Sequence, residues 1–599
     1  MVRLWAALVA AACLLAMAPS AAFGHAVLES TEPLSGSTSK QPVDQVVFKF
    51  SEPVEGSFGA IRVFGRGGVR IDQGEVFHPG GRGPELGVKL KRGVPKGSYT
   101  ATYRVISADS HPVAGGLVFS YGKASLTGAS VSDLLAQQGS AGRVTDIAFG
   151  AAKATQYGAI AVAVGAVFFL LVIWLRALSA AAGASGAWRE ASERFTQRLR
   201  KLLLIVIAIA LVSSAAGIVL QGAKAAGVSF WSALDRQIVE DVVDTRFGTV
   251  WSIRMLVWLG FGVVLLGSLS AARRPVLRPA SVGATGLAQP RLNPLWLALL
   301  ALPLGFLVIS PSLAGHASLE SPTEVLIPAN ILHVLAMSIW VGGLATMLLV
   351  LPAATRRLEP VERTRLLAGT LARFSPWAFA SVVVLLVTGL VQSWFEIGFL
   401  DEPSRLVDTP FGRAALIKFL LLAGPLMALG AYNQRRLVPR LKRLADEGQT
   451  PGRTGFALRR SIRAEILLLV GVLGATAALT TYAPADYAPT GPVSKTTSLG
   501  PADLQLTVDP ARVGPNEMHV YLIDKQNGTQ YDKVKEMNVD LLLPAEKLGP
   551  LKADVRKAGP GHYVMNGALF GVSGEWDVKM TARVSEFDAY YADVKVDIK

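Results

Sequence analysis

The chain has 599 residues, of which 51% are hydrophobic and 17% charged, with a formal net charge of +15. About 25% charged is usual in a soluble globular domain, which excludes a wholly soluble protein, and a mean hydropathy of +0.40 leaves too much polar sequence for a chain lying entirely in a bilayer. A single cysteine excludes an internal disulfide framework, Cys-ligated zinc and thiolate iron–sulfur sites, so any metal must be held by His, Met or carboxylates.

Residues 1–24 read as a secretory signal, with Arg3 at the start, an apolar run from Leu4 to Ala18 and a small-x-small cleavage site at Ala22-Phe23-Gly24. Cys13 lies inside the run. Reading it as a lipoprotein cysteine finds only alanines immediately before it, and cleavage after Gly24 removes it and leaves His25 as the first mature residue. Residues 25–125 follow with period-two segments such as Val46-Val47-Phe48-Lys49-Phe50 and Tyr99 to Val105, separated by Gly/Pro-rich turns, the pattern of a small β-sandwich. Residues 126–154 read as a linker.

Eight apolar runs of bilayer-spanning length are expected near 155–176, 202–222, 249–271, 295–313, 327–351, 375–397, 412–434 and 464–482. The alternate loops 177–201, 272–294, 352–374 and 435–463 carry 23 Lys/Arg, against 4 in 223–248, 314–326 and 398–411. The positive-inside rule puts the first set in the cytoplasm and both mature termini outside. The basic charge therefore marks topology, and no nucleic-acid partner is needed to account for it. Residues 483–500 read as a tether, and 501–599 as a second all-β domain. The expected fold class is multidomain: an extracytoplasmic β-sandwich of cupredoxin or immunoglobulin-like kind, an eight-helix transmembrane α bundle over 155–482, and a C-terminal extracytoplasmic β-sandwich.

Asp109 and His111 are two apart in Ser107-Ala108-Asp109-Ser110-His111-Pro112-Val113, so in extended chain they face the same side. A mature His25 adds its α-amine and ring nitrogen, and the resulting three-nitrogen, one-oxygen set suits Cu(II). Alone, the Asp-x-His pair reads first as a turn before Pro112. His78 reads as a surface-loop histidine. In the membrane region His316 follows the fourth span and His333 lies about 9 Å into the fifth at 1.5 Å per residue. Asn330, His333, Met337 and Trp340 share one helical face, and an imidazole followed inward by a thioether is a copper path in which Met favours Cu(I). The competing reading is a packed histidine with Met337 as filler. Lys418, Gln392 and Glu465 read as snorkelling polar groups near span ends. In the last domain His519, beside Met518, and His562, three before Met565, are candidate copper ligands or else strand-edge histidines without function.

The segments His25 to Pro33, Phe50-Ser51-Glu52-Pro53-Val54, and Ser107 to Val113 with Gly115-Gly116 closely resemble the CopC copper-binding family. That resemblance implies Cu(II) ligation by His25, Asp109 and His111, with Glu52 near an extra carboxylate of some members. No methionine occurs between Gly24 and Met255, so the Met-rich Cu(I) site of other members is not expected. His333 to Gly343, Arg373-Phe374-Ser375-Pro376, Thr388-Gly389, and Asn433 with Leu437 to Leu441 resemble the CopD membrane domain. The order of domains is similar to the YcnJ-like fused copper-uptake family. Gly561-His562-Tyr563 and Gly574 to Val578 resemble the small YtkA β-sandwiches.

The function implied is copper transport rather than enzymatic catalysis. Cu(II) is captured outside the cell membrane and copper passes inward through the bundle, with the lipid bilayer and copper ions as partners and an extracytoplasmic copper chaperone as a further candidate. The alternatives are copper sequestration and resistance without transport, a haem-binding electron-transfer protein using His316 and His333, and a copper oxygenase. Neither a phosphate-binding loop nor an Asp-Lys-Thr-Gly phosphorylation motif is present, which disfavours ATP-driven pumping.

Overall fold

In the computed structural model the described residues are 26, 28–34, 37–56, 60–65, 68–107, 112–122, 134–135, 141–182, 186–272, 294–315, 322–400, 403–479, 493–509 and 511–598. The chain divides into two compact units, with the helices in one and the two β domains in the other.

The first β domain packs two sheets face to face. One contains β1 (Leu28–Glu32), β3 (Gln45–Phe50), β7 (Glu85–Leu90) and β6 (Asp72–Phe77). The other contains β2 (Thr38–Ser39), β9 (Pro112–Tyr121), β8 (Gly97–Ser107) and β4 (Val54–Glu55), with β5 (Ile61–Phe64) also on β8. Strand alternation builds the core: Val46, Phe48 and Phe50 point inward from β3 while Lys49 stays exposed. Tyr103 of β8 closes on Phe48 and Phe50 at centroid distances of 5.0 and 5.2 Å. Burying each such ring contributes about 1.5–3 kcal/mol. The expected sandwich is therefore present.

Among the described residues the helical unit holds seven helices long and apolar enough to cross a membrane: α1 (Gly142–Ala181), α2 (Gly186–Ala226), α4 (Arg246–Ala272), α6 (Thr323–Ala354), α7 (Pro360–Ile397), α8 (Pro410–Asp446) and α9 (Gly452–Leu479), with a shorter apolar helix α5 (Pro294–Leu313). Each expected span falls on one of these eight. The ends differ, because a hydropathy reading stops at the first charges while the helix runs on. α1 begins at Gly142, inside the stretch read as linker. α7 begins at Pro360, with Glu359 and Glu362 forming a reciprocal capping box. α8 continues through the basic run as about three amphipathic turns, burying Leu437, Leu441 and Ala445 and exposing Arg435, Arg436, Arg440 and Arg443. A short amphipathic helix, α3 (Arg236–Val243), occupies the loop between the second and third spans; Asp235 caps it by accepting from the Gln237 N–H.

α1 and α6 touch backbone to backbone. A Cβ on Gly165 would come within 2.6 Å of Gly342 Cα, and one on Gly342 within 2.7 Å of Gly165 Cα. Ser338–Gly342 is a wide π turn in α6. Its extra residue rotates the remainder of the helix, so Trp340 leaves the line of His333 and Met337 and is buried in the bundle.

The last domain is a second sandwich. One sheet runs β10 (Val493–Leu499), β11 (Ala502–Asp509), β12 (Gly514–Asp524), β16 (His562–Phe570) and β15 (Arg556–Gly559). The other runs β14 (Leu548–Lys552), β13 (Glu536–Leu543), β17 (Gly574–Arg583) and β18 (Ala589–Ile598). β10 falls inside the stretch read as a tether, where Ser and Thr concealed a strand that pairs fully with β11. Leu504, Leu506, Met518, Val520 and Met565 face Val539, Leu541, Trp576 and Val578 across the core.

Candidate metal centre

Three places carry the histidines singled out by sequence. In the first domain, His25, Asp109 and His111 lie outside the described residues. The frame around the pair is described: β8 and β9 form a long antiparallel ladder that ends with Ile106 opposite Pro112. Ser107, the last described residue before the pair, donates its hydroxyl hydrogen bond to Glu52 Oε1. Glu52 thus stands beside the strand end that leads into Asp109. Gly115 makes room for Tyr103, whose Cζ would lie 2.7 Å from a Cβ there. His78 is exposed, with Nδ1 2.7 Å from the Glu85 carbonyl oxygen, as a surface-loop histidine should be.

In the membrane unit His316 is outside the described residues, whereas His333 is well defined. Its Nδ1 is 2.8 Å from Thr388 Oγ1 on α7, and its Nε2 is 3.5 Å from Lys418 Nζ on α8. Thr388 gives its only hydroxyl proton to the Val384 carbonyl at 2.7 Å, so it must accept from His333 Nδ1–H. That fixes the tautomer: Nε2 carries the lone pair, and Lys418 points at it. Gly389 stands next to the ring, its ideal Cβ position 3.6 Å from His333 Cε1. Met337 is half-buried one turn on. Neither Lys418 nor Glu465 snorkels. Glu465 is buried and accepts from Asn433 Nδ2 at 2.5 Å. The sequence reading missed Arg254, buried with Nε 2.9 Å from Ser310 Oγ and its guanidinium over the Trp251 ring.

In the last domain His519 and His562 come together. Tyr521 is opposite His562 and His519 opposite Val564, so the two imidazoles are diagonal neighbours on one face of central strands β12 and β16. His519 Nδ1 is 3.1 Å from His562 Nε2, and Tyr521 lies flat against the His562 ring at 4.4 Å. Glu517 Oε1 is 3.1 Å from His519 Nε2, out of line for a straight hydrogen bond. Met518 and Met565 are paired on the opposite face, deep in the core. Both histidines are buried on interior strands of the sheet, His562 at the first position of β16, and the methionines are not beside them. Burial, then the neighbouring His519, pushes the His562 imidazole down to about 4. Asp509, across from Glu517, is pushed up to about 6 chiefly by burial, and its charge acts on Tyr103 of β8. Among the described residues no three His, Cys, Asp or Glu side chains gather as a metal cage.

Comparison with known proteins agrees with this architecture. Residues 28–122 match the CopC domain, 144–323 the N-terminal domain of copper resistance protein D-like proteins, and 368–479 copper resistance protein D. The chain is 27% identical over 582 residues to the copper transport protein CutJ of Bacillus subtilis, covering 95% of each chain. It is 26% identical to copper resistance protein D of Pseudomonas syringae pv. tomato over 48% of this chain and 84% of that one. Among solved structures, CopC of Methylosinus trichosporium OB3b and PcoC, a methionine-rich copper resistance protein of Escherichia coli, are each 23% identical over 16% of this chain, covering 93% and 98% of their own lengths with TM-scores of 0.15.

Proposed function

We propose that this chain, which joins a CopC domain and a CopD-type membrane domain in one polypeptide, is a multi-pass copper transport protein of the cell membrane. The observation that carries this reading is the order of the matched stretches together with a likeness to a copper transport protein that runs through 95% of both chains. His25, Asp109 and His111 bind Cu(II) at the end of the β8–β9 ladder, with Glu52 held nearby by Ser107. Cu(II) binding by an α-amine and imidazoles needs both unprotonated, so capture weakens as the medium turns acid. Copper then enters the bundle past His316 and reaches His333 Nε2 and Met337, as Cu(I) once a one-electron reductant outside the membrane has reduced the captured Cu(II). The tautomer set by Thr388 supports this step, because it leaves the lone pair on the nitrogen that faces Lys418. Transport runs inward, with both termini extracytoplasmic, and the chain acts as a carrier and not as an enzyme.

Cellular copper in a deletion strain tests the reading. Import requires that copper content fall and that the wild-type chain restore it while His111→Ala does not at low external copper. Unchanged content with greater copper sensitivity would instead establish sequestration and resistance without transport; the Pseudomonas relative is named for copper resistance. Mass spectrometry of the mature N-terminus, with Cu(II) electron paramagnetic resonance, tests the ligand set: a terminus other than His25 removes the amine chelate.

A further inference from the structure

We infer that the C-terminal sandwich has a Cu(I) site of its own, a two-coordinate one between His519 Nδ1 and His562 Nε2. The inference goes beyond the transport reading and does not depend on it.

The geometry is head-on. The ring centroids are 5.4 Å apart, which is the 3.1 Å between the nitrogens plus one ring radius on each side. The two nitrogens therefore lie on the line joining the rings, with an interplanar angle of 20°. One shared proton holds this arrangement without metal. A d10 cation with linear coordination takes the place of that proton on the same axis. Both rings stay neutral if the His562 proton shifts from Nε2 to Nδ1. An imidazole–metal bond of about 2.0 Å on each side requires the rings to part by about 1 Å. His562 is placed for that movement: it is the first residue of β16, just after Gly561 at positive φ and a register break between β15 and β16. His519 is held in the middle of its strand.

Its surroundings fit a ligand pair. His519 is 3% exposed and its Nε2 makes no straight hydrogen bond, yet the Glu517 carboxylate stands 3.1 Å away. A carboxylate behind a ligating imidazole orients the ring and raises its basicity. Tyr521 fixes the plane of His562 from one side. Because the methionines face the other way, the site is purely nitrogenous. Two ligands are too few for zinc, which takes four, and for the tetragonal field that Cu(II) prefers. Cu(I) is the ion that accepts two. It arrives already reduced, and no electron transfer belongs to this site.

The test uses the full chain in detergent, titrated anaerobically with Cu(I) against a chromophoric Cu(I) chelator. Wild type should hold one more equivalent than His519→Gln or His562→Gln, and the double variant should lose no more than either single one. Met565→Leu should keep the full complement. Glu517→Gln, half-exposed and less disruptive to folding, should weaken the site roughly tenfold to a hundredfold. X-ray absorption on a chain carrying His25→Ala, His111→Ala, His316→Ala and His333→Ala should show copper with two nitrogen neighbours. Unchanged Cu(I) capacity in the folded histidine variants, a preference for Zn(II), or a four-coordinate spectrum would overturn the inference. His111→Ala removes the Cu(II) equivalent and leaves this one, so a failure here is distinguishable from a failure of the transport reading.

Discussion

His333 and Lys418 are 85 positions apart, and only the packing of α6 against α7 and α8 makes one the neighbour of the other. A lysine amino group on a ligand lone pair competes with copper for the same orbital. Lys418→Met should therefore raise Cu(I) affinity in the membrane domain, while His333→Ala should lower cellular copper accumulation severalfold and leave Cu(II) capture intact. In the double variant the gain from Lys418→Met should vanish, since both changes act through one atom; a gain that persists rules out a route through His333 Nε2. Asp509 allows a second prediction at this scale. Its carboxyl is raised from 3.8 to about 6, mainly by burial and next by Glu517. The folded state then binds the proton more tightly than the unfolded state. The resulting stabilisation is full below about pH 3.8 and is lost as pH rises through about 6. Ionised Asp509 costs at most about 3 kcal/mol at neutral pH. Asp509→Asn should raise the unfolding temperature of the C-terminal domain near pH 7.5 and leave it unchanged near pH 4. A destabilised variant at the higher pH would mean that the charge is wanted there.

Among the elements, strands and spans were legible because their signals are local: alternation for β3 and β8, apolar length for the spanning helices between α1 and α9. What was not legible depends on pairing. Period two places Met518 and His519 on opposite faces, so adjacency in sequence joined the histidines to the wrong neighbours. Their true partner, one imidazole for the other, comes from the β12–β16 register, which no single strand encodes. Helix ends were misplaced wherever charge and helicity overlap, as at Arg435 to Arg443. The π turn at Ser338–Gly342 left no trace in the hydrophobic pattern, although its glycine has a purpose. Gly165 on α1 and Gly342 on α6 allow the two helix backbones to touch. A side chain at either forces the helices apart and costs about 1–3 kcal/mol or more. Gly165→Leu should sharply lower the yield of folded protein from membranes, measured by size exclusion in detergent. Gly424→Ala, where a Cβ meets nothing, should not. Equal yields would show that the crossing tolerates expansion.

For the whole molecule, a positive charge that could suggest a polyanion partner becomes an orientation signal once the helices are in place. The four loops assigned to the cytoplasm hold 23 Lys/Arg against 4 opposite, and part of that charge, from Arg435 to Arg443, sits on the amphipathic end of α8. By the positive-inside rule both sandwiches are expected outside, where the proposed function has copper arrive. The single cysteine makes this directly measurable. If Cys13 leaves with the proposed signal, the mature chain should carry no thiol and should not react with a membrane-impermeant maleimide. A cysteine introduced in the last domain, Glu586→Cys, should be labelled on intact cells. One placed between α8 and α9, Gln449→Cys, should be labelled only after the membrane is opened. Labelling of Gln449→Cys on intact cells, with Glu586→Cys protected, would invert the chain and turn the same copper sites into an export route. Labelling of the unsubstituted chain would mean that Cys13 is retained, and with it a terminus that cannot present His25 as a chelating amine.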